Sequence, residues 1–163
     1  HTRALAGFCR RLSQIAPEGL ASAEQIDHRI IGAALDGHLF DLERVRSWER
    51  SPLFYAQSVS QALASLTYQS SIPEADRARR LLSRLRQVPR LTRASQDNVR
   101  EPAGILVKLG LEAWRGLQVF LERDLPREFG ALDDLHLLGD LADATNEATE
   151  AIPPKRSQII NQI

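Results

Sequence analysis

A chain of 163 residues, 43% of them hydrophobic and 26% charged, has the balance of a soluble folded domain with a real core, which excludes a disordered or a membrane-embedded chain. Its 21 basic and 21 acidic residues cancel, so no global field draws it to nucleic acid or an anionic membrane, and its apolar runs fall far short of the ~20 residues that span a bilayer. The single cysteine, Cys9, excludes an internal disulfide and a cysteine metal cluster.

Leu5, Phe8, Leu12 and Ile15 recur at three- and four-residue steps, which places them on one helical face until Pro17 and Gly19 stop the helix. Cys9 lies beside this stripe, where a small buried apolar residue belongs. Ser22 followed three residues later by Gln25 is a capping-box signal, and Ile26, Ile30, Leu35, Leu39, Leu42 and Val45 carry a second helix as far as Trp48. Ser51-Pro52 reads as an N-cap with proline in the first turn, where its missing N–H costs nothing, and Val59, Leu63 and Leu66 follow in a third helix to Tyr68.

Ser71 and Pro73 open a fourth helix with Ala78, Leu81, Leu82, Leu85 and Val88 on its apolar face; Pro89 bends or ends it, with a continuation to Val99. Pro102 starts the fifth and most hydrophobic helix, whose wide stripe from Ile105 through Leu109, Ala113 and Leu117 ends at Leu125-Pro126. After Phe129-Gly130, Leu132, Leu135, Leu138, Leu141 and Ala142 form the sixth, which fades before Ile152-Pro153-Pro154.

No segment alternates apolar and polar residues over a strand's length, so a β-sheet has nothing to be made from. The pattern predicts an all-α, up-and-down array of about six amphipathic helices, with 1–152 as one helical domain or fragment and 153–163 as a frayed tail. Methionine is absent even at position 1, which predicts a piece of something longer, a partial domain of a larger helical protein. The start does not read as a signal peptide, and a cytoplasmic and an exported location both stay open.

Catalytic constellations are missing. A zinc peptidase helix needs two histidines four residues apart, whereas His28 and His38 are ten apart and His1 and His136 stand alone. Asp133 and Asp140 flank His136 by a turn on either side, an arrangement more typical of a solvated face, and the pairs Asp133-Asp134 and Asp41-Glu43 read the same way. There is no G-x-S-x-G elbow and no phosphate-binding glycine loop. No residue is therefore assigned a catalytic, cofactor-binding or metal role, and the chain as given is expected not to be an enzyme.

One charge run stands out. Arg77, Arg79, Arg80, Arg84, Arg86, Arg90 and Arg93 occur without an intervening acid, and on a continued helix Arg79, Arg86, Arg90 and Arg93 would share one strip able to grip carboxylates or track phosphates. Aromatic residues stop at Tyr68 and resume at Trp114, so stacking platforms for nucleic acid are missing; the run reads as a solvated or internally paired face, or else as a protein interface. Trp48, Phe54 and Tyr55 straddle the turn at Pro52, where they either lock the corner or anchor a partner.

Most visibly from that corner, and over most of residues 1 to about 150, the sequence resembles a bacterial family, domain of unknown function 885. The resemblance rests on the ordered succession Trp48-Glu49-Arg50-Ser51-Pro52-Leu53-Phe54-Tyr55, then Arg77-Ala78-Arg79-Arg80-Leu81-Leu82, Val88-Pro89, Ala94-Ser95-Gln96-Asp97-Asn98-Val99, Pro102 and Gly116-Leu117-Gln118-Val119-Phe120-Leu121. Ser51 stands where the family usually has Asn before the corner proline, an exchange between good N-caps. The family implies full-length relatives several times longer that look like zinc metallopeptidases, with an H-E-x-x-x-H type motif in a distant C-terminal part. By that resemblance this chain is the non-catalytic N-terminal portion, carrying no cofactor itself. Its implied partner is the missing C-terminal part, whose cleft it would pack against or wall, or a second copy; zinc would belong to the longer parent. A stand-alone interaction module using the arginine face is the alternative.

Overall fold

Through residues 2–153, which the computed structural model describes, the backbone is helical and forms no strand. The fold is all-α, as the apolar periodicity predicts. The chain divides into two compact units, His1–Ser47 and Trp48–Ile163.

The first unit is a helical hairpin. Helix α1 (Thr2–Ser13) tightens at its end through the bond from Ile15 N to Leu12 O at 3.1 Å and gives way to a 3-10 turn at Pro17–Gly19, where proline forbids continuation. Helix α2 (Ser22–Phe40) begins one residue earlier in its capping than the sequence suggests: Ala21, not Ser22, is the N-cap, and its N–H donates to Glu24 Oε2 at 2.9 Å. The carboxylate at the third helical position supplies the stronger, charged acceptor, so Ser22 is drawn into the first turn. Gln25, His28, Gly32, Leu35 and Leu39 form the half-buried row of α2, and the packing against α1 is close at Gly32, where a Cβ would lie 3.6 Å from Leu12 Cδ2.

The α-helix does not reach Trp48. It passes into a π turn at Asp41–Val45, which Arg46 ends in the left-handed region at φ 56°, while Ser47 Oγ donates to Asp41 Oδ1 at 2.6 Å. None of the described residues of this unit is fully buried.

The second unit starts within the short α3 (Ser47–Arg50) and continues through α4 (Pro52–Thr67), α5 (Glu74–Leu85), α6 (Val88–Asn98), α7 (Gly104–Val119), a π turn (Phe120–Asp124), α8 (Leu125–Glu128) and α9 (Leu135–Ala151). Helix α4 is central and packs against α5, α6 and α7, with Tyr55, Ala56, Val59, Leu63 and Leu66 buried along one face. Its approach to α7 is so close that a Cβ on Gly110 would stand 3.0 Å from Pro52 Cβ and 3.1 Å from Leu53 N. Leu81 and Leu85 of α5, Trp114 of α7 and Leu121 of the π turn complete the floor of the core, and α9 covers α5 and α6 with Leu141, Ala144 and Ala148.

The expected fourth helix breaks at Arg86-Gln87, because Pro89 sits in the first turn of α6 and cannot supply the N–H that a continuous helix needs. The fifth is interrupted by its π turn, and the sixth starts at Leu135, where Asp134 caps it by accepting from Leu137 N at 3.0 Å. The tail expected to fray lies, from residue 154 on, outside the described residues.

Candidate functional site

The aromatic corner of the second unit is built around Tyr55. Its hydroxyl donates to Trp48 O at 2.7 Å and accepts from Asn98 Nδ2 at 3.0 Å, and Arg100 N donates to Glu49 O at 2.7 Å. The C-terminal end of α6 is thereby tied to the entrance of α4. Phe54 meets the Tyr55 ring edge-on, with centroids 5.3 Å apart. Burial pushes the Tyr55 phenol above its ordinary pKa, and the bond from Asn98 opposes part of that rise. Tyr55 is buried, while Trp48 and Phe54 pack half-buried against the core.

The arginines divide into two groups. Arg77 is largely buried; its Nη1 donates to Leu66 O and Thr67 O at 3.3 and 3.1 Å and to Glu128 Oε1 at 3.1 Å, and its guanidinium lies 5.4 Å from the Phe129 ring centroid. Arg84 donates to Ala62 O and to Ser65 Oγ, the latter at 3.0 Å. Arg79 pairs with Asp76 at 2.8 Å and Arg86 with Asp140 at 3.3 Å, both on the surface. Arg80, Arg90 and Arg93 are exposed and form no hydrogen bond or ion pair among the described residues. The break at Arg86-Gln87 means that Arg79, Arg86, Arg90 and Arg93 do not share one continuous helix.

The residues present do not fit a zinc site: among the described residues no three His, Cys, Asp or Glu side chains come together as a ligand group. His28 instead donates from Nε2 to Leu12 O at 3.2 Å, tying α2 to α1. Cys9 is a half-buried free thiol on α1. No described helix is long and apolar enough to cross a membrane.

A cavity of about 470 Å³ opens between α9 on one side and the π turn and α8 on the other. Leu81, Leu121, Leu125, Phe129 and Leu141 give it an apolar floor, and Glu122, Asn146 and Glu150 stand at its rim. Thr145 and Thr149 also line it, but each hydroxyl donates to a carbonyl of its own helix, to Leu141 O at 2.7 Å and Thr145 O at 2.8 Å. Its volume falls in the range of roughly 300–1,000 Å³ typical of small-ligand sites. The π turn is what sets Leu121 and Glu122 into its wall, and such turns recur at functional sites.

Sequence reading missed this cavity. Its walls come from Leu81, from residues 121–129 and from residues 138–150, and each alone reads as an ordinary amphipathic stripe; the four-residue steps Leu117, Leu121 and Leu125 suit an α turn and a π turn alike, so nothing local announces it.

The comparisons agree with the succession of motifs. A family model described as "Bacterial protein of unknown function (DUF885)" matches residues 1–161. A solved structure described as "a putative lipoprotein of unknown function from Shewanella oneidensis" is similar in fold, with a TM-score of 0.75 and 23% identity over 97% of this chain. The chain spans 29% of the length of that structure. No curated protein matches the chain.

Proposed function

Because the chain belongs to the DUF885 family of bacterial proteins of unknown function, we propose that it is the non-catalytic, N-terminal helical portion of a longer zinc-peptidase-like protein. In this reading it packs against the remainder and walls one side of that part's cleft, and any zinc and catalytic groups belong to the remainder. One observation carries the reading: the first unit exposes large apolar side chains along α2, with Ile26, Ile30, Ile31 and Phe40 each about half or more exposed at 50%, 61%, 48% and 61%. Singly exposed apolar residues are ordinary, but a row on a helix whose other face already packs against α1 is surface in want of a cover. The length of the solved relative, of which this chain spans 29%, supports a parent with enough additional chain to supply one.

The test begins with the gene. A reading frame that continues past the codon for Ile163 into a segment with a His-Glu zinc motif is expected, and that segment, co-expressed, should be retained by the chain. Ile30→Glu with Phe40→Glu should abolish retention while leaving the helicity of the chain unchanged. A stop codon directly after Ile163, or retention indifferent to both substitutions, would overturn the reading.

A second reading, a stand-alone interaction module, draws on the unpaired Arg80, Arg90 and Arg93. Arg90→Glu with Arg93→Glu should then weaken capture of an acidic partner and leave the co-expression result unchanged.

A further inference from the structure

We infer that the cavity between α9 and the π turn of the second unit is a binding site for an amphiphilic amine: an aliphatic or aromatic body with one protonated head. This goes beyond the reading of the first unit and does not depend on it.

The floor is apolar and set by buried residues of four elements, including Leu81 of α5, Leu121 of the π turn, Leu125 of α8 and Leu141 of α9. Such a floor favours a hydrocarbon body through the area it removes from water. Selectivity comes from the rim, where the two carboxylates of Glu122 and Glu150 stand beside the neutral amide of Asn146. Among the described residues Glu122 and Glu150 are the charged ones that line the cavity, and no described Lys, Arg or His lines it. The hydroxyl protons of Thr145 and Thr149 are spent within α9, so those oxygens offer only lone pairs. Glu122 already accepts from Gln118 Nε2 at 2.9 Å, which holds that carboxylate on the rim while leaving its second oxygen open.

The helix termini add to the same sign. Thr149 and Glu150 lie in the last turn of α9, which ends at Ala151, where the helix dipole has its negative end. Arg77 lies over the Phe129 ring, 5.4 Å from its centroid, and Glu128 pairs with it at 3.1 Å. A carboxylate or phosphate head would meet two like charges and a dipole of the wrong sign; a neutral alcohol would gain the floor alone. An ammonium or guanidinium head gains both.

The experiment titrates the full 163-residue chain with n-decylammonium chloride, 1-decanol and sodium decanoate below their aggregation limits, followed by calorimetry and amide NMR. Decylammonium should bind saturably at one site with shifts confined to α9, the π turn and α8, about fivefold more tightly than 1-decanol, the gain expected from exposed charge pairs, with decanoate weakest. Added salt should shrink that ratio. Glu122→Gln with Glu150→Gln should bring decylammonium to the affinity of 1-decanol without reducing the latter. Ala142→Trp, at an exposed residue of the cavity wall, should block all three probes while helicity is retained. Equal binding of the three probes, shifts centred on α2 of the first unit, no saturable binding, or decylammonium binding that survives Ala142→Trp would each overturn the assignment.

Discussion

The Tyr55 hydroxyl donates to the backbone carbonyl of Trp48 across the turn that separates α3 from α4, at 2.7 Å, and Asn98 of α6 donates to the same hydroxyl oxygen. Three segments thus meet at one atom. Tyr55→Phe should lower unfolding free energy by about 1–2 kcal/mol in urea titrations, since it leaves the Trp48 carbonyl and the Asn98 amide short of a partner. Asn98→Ala should cost less, because it removes a single bond.

The same residue gives the fold an alkaline weakness. The phenol's pKa is raised on folding, so the native state holds that proton more tightly than the unfolded chain does. Its contribution is complete below the ordinary phenol value of 10.0 and is lost as pH rises through the folded-state value. Stability should fall above about pH 10, and Tyr55→Phe should flatten that part of the curve, as measured by denaturation midpoints against pH.

Two glycines of α7 should respond in opposite directions to the same change. Gly110→Ala forces a methyl against Pro52 and the backbone of Leu53, which should cost about 1–3 kcal/mol even after the helix-propensity gain. At Gly116 an added Cβ would meet nothing within 4 Å, so Gly116→Ala should stabilise by about 0.5–1 kcal/mol. Thermal midpoints of the two variants should lie on either side of the parent.

Thr92 is buried at 2% exposure, and its hydroxyl has no hydrogen-bond partner among the described residues. Thr92→Val keeps the shape and removes the stranded polar group, so the variant should be more stable by about 1 kcal/mol. A loss of stability in calorimetry would mean that an ordered water satisfies the hydroxyl.

The arginines should separate by burial. Arg77→Ala removes bonds to two carbonyls and to Glu128 and should cost about 2 kcal/mol, whereas Arg79→Ala breaks an exposed pair with Asp76 and should change stability by less than about 0.5 kcal/mol. Parallel urea titrations check both.

What was legible in the sequence follows from what is local. Apolar steps of three and four residues placed the long helical stretches, Pro52 and Pro73 marked starts that the structure keeps near those positions, and Pro89 marked the break between α5 and α6. The Trp48-Phe54-Tyr55 corner was visible because its residues are neighbours in sequence; the bond from Asn98 was not, since it joins residues 43 apart. The two π turns escaped because the steps of three and four residues at Leu39, Leu42 and Val45 and at Leu117, Leu121 and Leu125 read as ordinary α turns. The cap at Ala21 escaped because alanine carries no capping side chain, and Glu24 reaches back to supply the acceptor. Arg77 and Arg84 looked like two members of a charged run, and their lengths let them reach back to carbonyls of α4.

Those last contacts have a temporal meaning. The terminal carbonyls of α4 at Leu66 and Thr67 accept from the Arg77 guanidinium, 11 and 10 residues further along the chain. As the polypeptide leaves the ribosome, α4 therefore emerges before the group that finishes it, and its final turn stays open to water until the first turn of α5 has followed. The pair α4 and α5, not α4 alone, closes that end.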